Sequence, residues 1–78
     1  MLNKICDYIV STVINETSDF QYCVFFDEIE AKFTIKLNDS LISTLALMLS
    51  QREEIADLDI NDDNFDIVIY TDYSPNYL

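Results

Sequence analysis

The chain opens on a hydrophobic stripe of helical period. Leu2, Ile5, Cys6, Ile9, Val10 and Val13 recur every three or four residues, which puts them on one face of a helix over the first 15 residues. The polar run Asn15, Glu16, Thr17, Ser18, Asp19 breaks it. From Phe20 the period drops to two. Phe20, Tyr22, Val24 and Phe26 alternate with Gln21, Cys23 and Phe25, and Ile29, Ala31, Phe33, Ile35 and Leu37 alternate with Glu30, Lys32, Thr34 and Lys36. Both stretches read as strands, joined through Asp27 and Glu28 as a hairpin. Asn38 or Asp39 can cap a second helix, because a short side-chain oxygen accepts from an otherwise unpaired N–H of the first turn. Its stripe is Leu41, Leu45, Met48 and Leu49, extended by Ile55 or Ala56. The acid-rich stretch DLDINDDNFD, residues 57–66, then leads into a last strand, FDIVIYTDY. There Phe65, Ile67, Ile69, Thr71 and Tyr73 share one face, and Asp66, Val68, Tyr70 and Asp72 the other. Ser74 and Pro75 end the strand and Asn76, Tyr77 and Leu78 form a tail.

The predicted order is helix, strand, strand, helix, strand: an α+β fold in one domain spanning residues 1–78. A hairpin followed by a right-handed helical crossover sets the third strand beside the first, giving a three-stranded antiparallel sheet of order third, first, second with two helices packed on one face. The opposite face would carry Phe25, Val68 and Tyr70 among Glu30, Lys32, Lys36, Asp66 and Asp72, a surface suited to solvent, a homodimer contact or a docking partner.

Composition sharpens this picture. Half of the 78 residues are apolar, enough for a core, although a chain of this size buries only about 60% of its unfolded surface. The net charge of −11 is uneven: residues 1–52 hold seven acids and four bases, whereas residues 53–78 hold eight acids and no base. Such self-repulsion exceeds the magnitude of roughly 2 to 8 that solubility needs, so it calls for a reason. The first residues carry no cleavage-site pattern, no run reaches the ~18 apolar residues of a membrane span, and Cys6 and Cys23 read as reduced thiols. These features predict a cytoplasmic protein.

The absences exclude chemistry. No Gly means no phosphate cradle of the P-loop or dinucleotide kind, and no His removes the commonest general base and the usual nucleophile partner. Asp57, Asp59 and Asn61 match the first ligands of a calcium loop, but its sharp-turn Gly is replaced by Asp62 and its bidentate Glu by Val68. Pairs such as Asp27 with Glu28, or Asp62 with Asp63, lack the cleft that acid–base work on a sugar requires. Four bases against fifteen acids repel nucleic acid itself. The sequence thus predicts no enzyme, no metal, no cofactor, no direct nucleic-acid contact and no membrane contact.

What remains is the inverse of nucleic-acid binding. Asp57 and Asp59 would lie ~6.6 Å apart on an extended strand, and Glu53 and Asp57 would rise by ~6 Å on a helix, spacings comparable to those of phosphates along DNA. In length, acidity, lack of catalytic groups and α/β layout, the chain resembles the small inhibitors that bacteriophages deploy against host defence, including anti-CRISPR proteins and DNA-mimic inhibitors such as the uracil-DNA glycosylase inhibitor. The likeness is one of overall character and carries no residue over. It implies a non-enzymatic inhibitor that occupies a cationic nucleic-acid channel, with a CRISPR effector as one such target. The predicted contact residues are Glu53, Glu54, Asp57, Asp59, Asp62, Asp63 and Asp66, seconded by Tyr70 and Asp72, with Tyr73 and Tyr77 as further aromatic anchors. The alternative is an immunity protein or antitoxin covering a basic toxin nuclease by the same charge logic.

Overall fold

A computed structural model describes residues 1–17 and 20–73. The N-terminal stripe folds as its period predicts: helix α1 (Leu2–Glu16) buries Ile5, Cys6, Ile9, Val10 and Val13. Thr17 turns extended and ends the helix, its N–H still donating to Val13 O at 3.0 Å. Strand β1 (Gln21–Phe25) follows, entered through Phe20, whose φ of 74° is left-handed.

The second predicted strand is a helix. Phe26–Phe33 forms α2, with Asp27 and Glu28 in its first turn, so this pair is not a hairpin connection. The alternation of Ile29, Ala31 and Phe33 hides a second set, Phe26, Ile29, Glu30 and Phe33, spaced as one side of a helix. Burial follows that set: Ile29 is buried, Phe26, Glu30 and Phe33 are half-buried, and Ala31 is exposed. Acids at the start and Lys32 at the end also suit the helix dipole. Thr34 closes α2 in the left-handed region, at φ 53°. Ile35 and Leu37 then donate their N–H groups to Glu30, at 3.2 Å to its carbonyl and 2.8 Å to its Oε2.

Helix α3 (Asp39–Ser50) is capped by Asn38, whose Oδ1 accepts from Leu41 N–H at 2.8 Å. Leu45, Ala46 and Leu49 are buried, and the helix stops before Ile55 and Ala56, which therefore do not extend its stripe. Instead the acid-rich stretch folds as a β-hairpin: β2 (Ile55–Ile60), a turn at residues 61–63, and β3 (Asn64–Ile69). Ile55, Leu58 and Ile60 pair in register with Ile69, Ile67 and Phe65, a bulge at Ala56 restoring the period-two pattern. The density of aspartate had masked that alternation. The last strand is also shorter than predicted, because Thr71–Tyr73 is a 3-10 turn closed by Tyr73 N–H to Tyr70 O at 3.1 Å.

The α+β class and the three-stranded antiparallel sheet hold, with three helices in place of two and the order β1-β3-β2 in place of third, first, second. A three-residue connection forces β3 beside β2, leaving its other edge to β1. The hydrophobic strand NFDIVI thus takes the centre. Phe65, Ile67, Ile69 and Val24 face the helical layer and join Ile5, Ile9, Val13, Ile29, Leu45 and Leu49 in the core. The Phe26 ring meets Phe65 edge-on at 5.0 Å, seating α2 over β3. Arg52 Nη1 bonds Asp7 Oδ1 at 2.8 Å and ties the end of α3 to α1. Residues 18–19 and 74–78, including the predicted tail and Tyr77, lie outside the described residues. Among the described residues no helix is long and apolar enough to cross a membrane.

Candidate functional site

Among the described residues the helices cover one face of the sheet and none lies on the other. Two flanking bonds, Ile69 N–H to Phe20 O at 2.8 Å and Phe26 N–H to Asp63 O at 2.9 Å, set the parity of the β1–β3 ladder: even-numbered β1 residues bond β3. Cys23 and Asp66 are therefore a non-hydrogen-bonded pair, with Cα atoms ~4.5 Å apart and side chains close. On the other side, Asn61 N–H to Asn64 O at 2.9 Å makes Asp59 and Asp66 a hydrogen-bonded pair, ~5.5 Å apart. Asp66 thus sits at the centre of the open face with a thiol to one side and a like charge to the other.

Neighbouring groups hold that arrangement. Gln21 Nε2 donates to both oxygens of Asp66, at 2.9 and 3.0 Å. Cys23 is a free thiol whose pKa is pushed up by desolvation first, then by the charge and hydrogen bonding of Asp66 and the charge of Asp63. Asp57 lies one alternate position from Asp59 on β2, ~6.6 Å away, and its Oδ1 accepts from Leu58 N–H at 2.9 Å. The extended spacing between Asp57 and Asp59 is the one realised. Glu53 and Asp57 are not one helical turn apart, since Glu53 lies in the turn before β2.

The other predicted residues fall at the two ends of this face. At the hairpin tip Asp62 and Asp63 are exposed, and a side-chain chain braces them: Asn61 Nδ2 to Asn64 Oδ1 at 2.9 Å, and Asn64 Nδ2 to Asp63 Oδ1 at 2.7 Å. Beside the tip is a shallow depression of about 270 Å³, whose lining includes Phe26, Ile42, Ile60, Asp39 and Asp62. At the opposite end Glu53, Asp72 and Tyr70 are exposed, Tyr70 at 53%. Glu54 is half-buried, accepts from Arg52 Nε at 3.4 Å, and lends its carbonyl to Tyr70 N–H, so it is drawn away from solvent. Partial desolvation and the charges of Glu53, Glu54 and Asp72 together raise the pKa of Tyr73.

The structure thus brings Asp57, Asp59 and Asp66 together, with acids at both ends. It separates from them Glu30, Lys32 and Lys36, which the strand reading had set on this face and which lie on α2 and its exit. Lys32 Nζ instead stands 5.7 Å from the Tyr8 ring centre. The consequence is electrostatic: among the described residues the open face has no base, and the ion pairs involve only Arg52. Sequence reasoning missed Gln21, Asn61 and Asn64. The parity of β1, legible once Val24 is assigned inward, would have placed Gln21 on the side of Asp66. Asp57 and Asp59 stand on a strand, not in a calcium-type loop, and among the described residues no group of three or more His, Cys, Asp or Glu could hold a metal ion.

No protein-family model matches the sequence, and neither curated proteins nor solved structures yield a match.

Proposed function

We propose that the chain is a non-enzymatic, cytoplasmic inhibitor whose open sheet face stands in for nucleic-acid phosphates in the basic groove of a nucleic-acid-processing protein, a CRISPR effector being one such target. One observation carries this reading: Asp57, Asp59 and Asp66 share a braced strand surface, extended by Asp62 and Asp63, with no base among them. Backbone hydrogen bonds fix the spacing of the acids, so little backbone entropy is lost when a cationic groove closes on it. Phe25 and Tyr70, 43% and 53% exposed, flank the acids and can serve as aromatic anchors. The partner's lysines and arginines would meet carboxylates in place of phosphates, and the same long-range field would speed encounter.

Affinity capture from a bacterial lysate supplies the partner for the test. Binding to it should weaken steeply between low and high salt and should be competed by DNA or guide RNA. Binding indifferent to both would overturn the reading.

A further inference from the structure

The two edges of the sheet are finished differently. On β2 a bulge interrupts the ladder between Ile55 and Asp57, the outward N–H of Leu58 is taken by the Asp57 carboxylate at 2.9 Å, and Asp57 and Asp59 charge the strand. These are the devices by which proteins keep an edge from pairing. Strand β1 has none of them: QYCVF contains no charge, no proline and no bulge. By the parity of its ladder, Gln21, Cys23 and Phe25 turn their N–H and C=O groups away from β3, and all three residues are exposed. The Gln21 carbonyl accepts from Thr17 Oγ1 at 3.0 Å, and the Phe25 carbonyl faces into the first turn of α2 as its cap. Among the described residues, the N–H groups of Gln21, Cys23 and Phe25 and the C=O of Cys23 have no hydrogen-bond partner.

Such an edge invites a strand, and the charges beside it select which. Asp66 and Asp63 act on Cys23 from the open side, and Glu28 and Glu16 act on Tyr22 from the helical side. A second copy, joined edge to edge about Cys23, would leave Asp66 about 14 Å from its counterpart, three strand spacings away, and would set one chain of charge −11 against another with no cation to offset it at the seam. A strand bearing lysine or arginine would meet these acids with the opposite sign. We propose that the β1 edge takes an extended basic segment of the protein partner as a fourth strand, its backbone paired with Cys23 and its cations set against Asp66 and Asp63. Backbone pairing then supplies affinity and the flanking acids supply selection. This inference rests on the reading of a basic partner given above.

The probe is a blocked nine-residue peptide of alternating lysine and valine, titrated against the full chain by amide NMR and hydrogen exchange. Saturation should slow exchange of the Cys23 and Phe25 amides by at least about tenfold, the amount that ~1.4 kcal/mol of local protection gives. Cys23→Pro removes an N–H that makes no ladder bond, so it should keep the fold and lose the peptide, whereas Cys23→Ser should keep both. Unprotected Cys23 and Phe25 amides, no binding by the parent chain, or self-association in place of peptide binding would each overturn the proposal. If Asp59→Asn with Asp62→Asn and Asp63→Asn weakens peptide binding but Cys23→Pro does not, the edge proposal falls and the phosphate-mimic reading stands. If neither variant weakens it, both fall.

Discussion

Gln21 and Asp66 are diagonal neighbours across the β1–β3 ladder, and the Gln21 amide donates to both oxygens of the Asp66 carboxylate, at 2.9 and 3.0 Å. The same carboxylate faces Asp59 directly across the next ladder. Like charges directly opposite on a sheet are destabilising, on the scale of roughly 0.2–1 kcal/mol. Asp59→Asn keeps the shape and removes the repulsion, so it should raise stability by about that amount, a gain of a few degrees in Tm for a domain of this size. Gln21→Ala should cost less in the Asp59→Asn background than in the parent, because the amide then has less repulsion to offset. A urea double-mutant cycle measures this coupling, and strict additivity would show that the two contacts to Asp66 are independent.

Neutralising Asp59, Asp62 and Asp63 together by Asn should uncouple function from folding. All three are exposed and none is in an ion pair, so the fold should be kept or slightly stabilised. These charges both steer encounter and meet the partner's cations, so association with the captured partner should slow, dissociation should quicken and the salt dependence should flatten. Surface-binding kinetics at two salt concentrations give the result. A neutralised variant that binds as fast as its parent would refute phosphate mimicry.

How much of this was legible depended on whether one period stood alone. In α1 only the helical period fits Ile5, Ile9 and Val13, and α3 announces itself through Asn38, so both helices were readable within a few residues. Between Phe26 and Leu37 two periods overlap on the same apolar residues, and the choice of helix depends on Ile29 and Phe26 reaching a core that only the tertiary fold supplies. In residues 55–60 the bulge at Ala56 breaks the alternation, and aspartates, rare in strands, fill outward positions 57 and 59. Strand order followed from those two errors. The acids of the site could be named because composition carries them, whereas Gln21 could be recruited only by a ladder that joins residues 45 apart.

The C-cap of α2 offers a direct check on the absence of glycine from this chain. Thr34 stands at φ 53°, ψ 52°, a conformation in which a β-branched side chain crowds the backbone. Thr34→Gly should stabilise the protein by about 1 kcal/mol, read as a higher urea midpoint with an unchanged slope. Thr34→Ala should gain less, since it removes the branch but keeps the Cβ. A loss of stability on Thr34→Gly would mean that the side chain contributes more than its strain costs.

Alkaline pH should weaken the fold through its two thiols. Burial raises the pKa of Cys6 above the ordinary thiol value, and desolvation with Asp66 does the same for Cys23. The folded state therefore holds these protons to a higher pH than the unfolded state does, so the unfolded state binds fewer in that window and stability must fall as pH rises. The contribution is complete below the ordinary thiol range and is lost as pH climbs past about 8.5 toward the raised values. Urea midpoints across pH 7 to 10 should decline, and Cys23→Ser should make that decline shallower. The thiols should also differ in reaction with a disulfide reagent at pH 8: exposed Cys23 reacts slowly for a surface thiol, and buried Cys6 waits for unfolding. Asp66→Asn removes the charge that adds to desolvation in raising the Cys23 pKa and should speed its reaction. An unchanged rate in that variant would mean that desolvation alone holds the Cys23 proton.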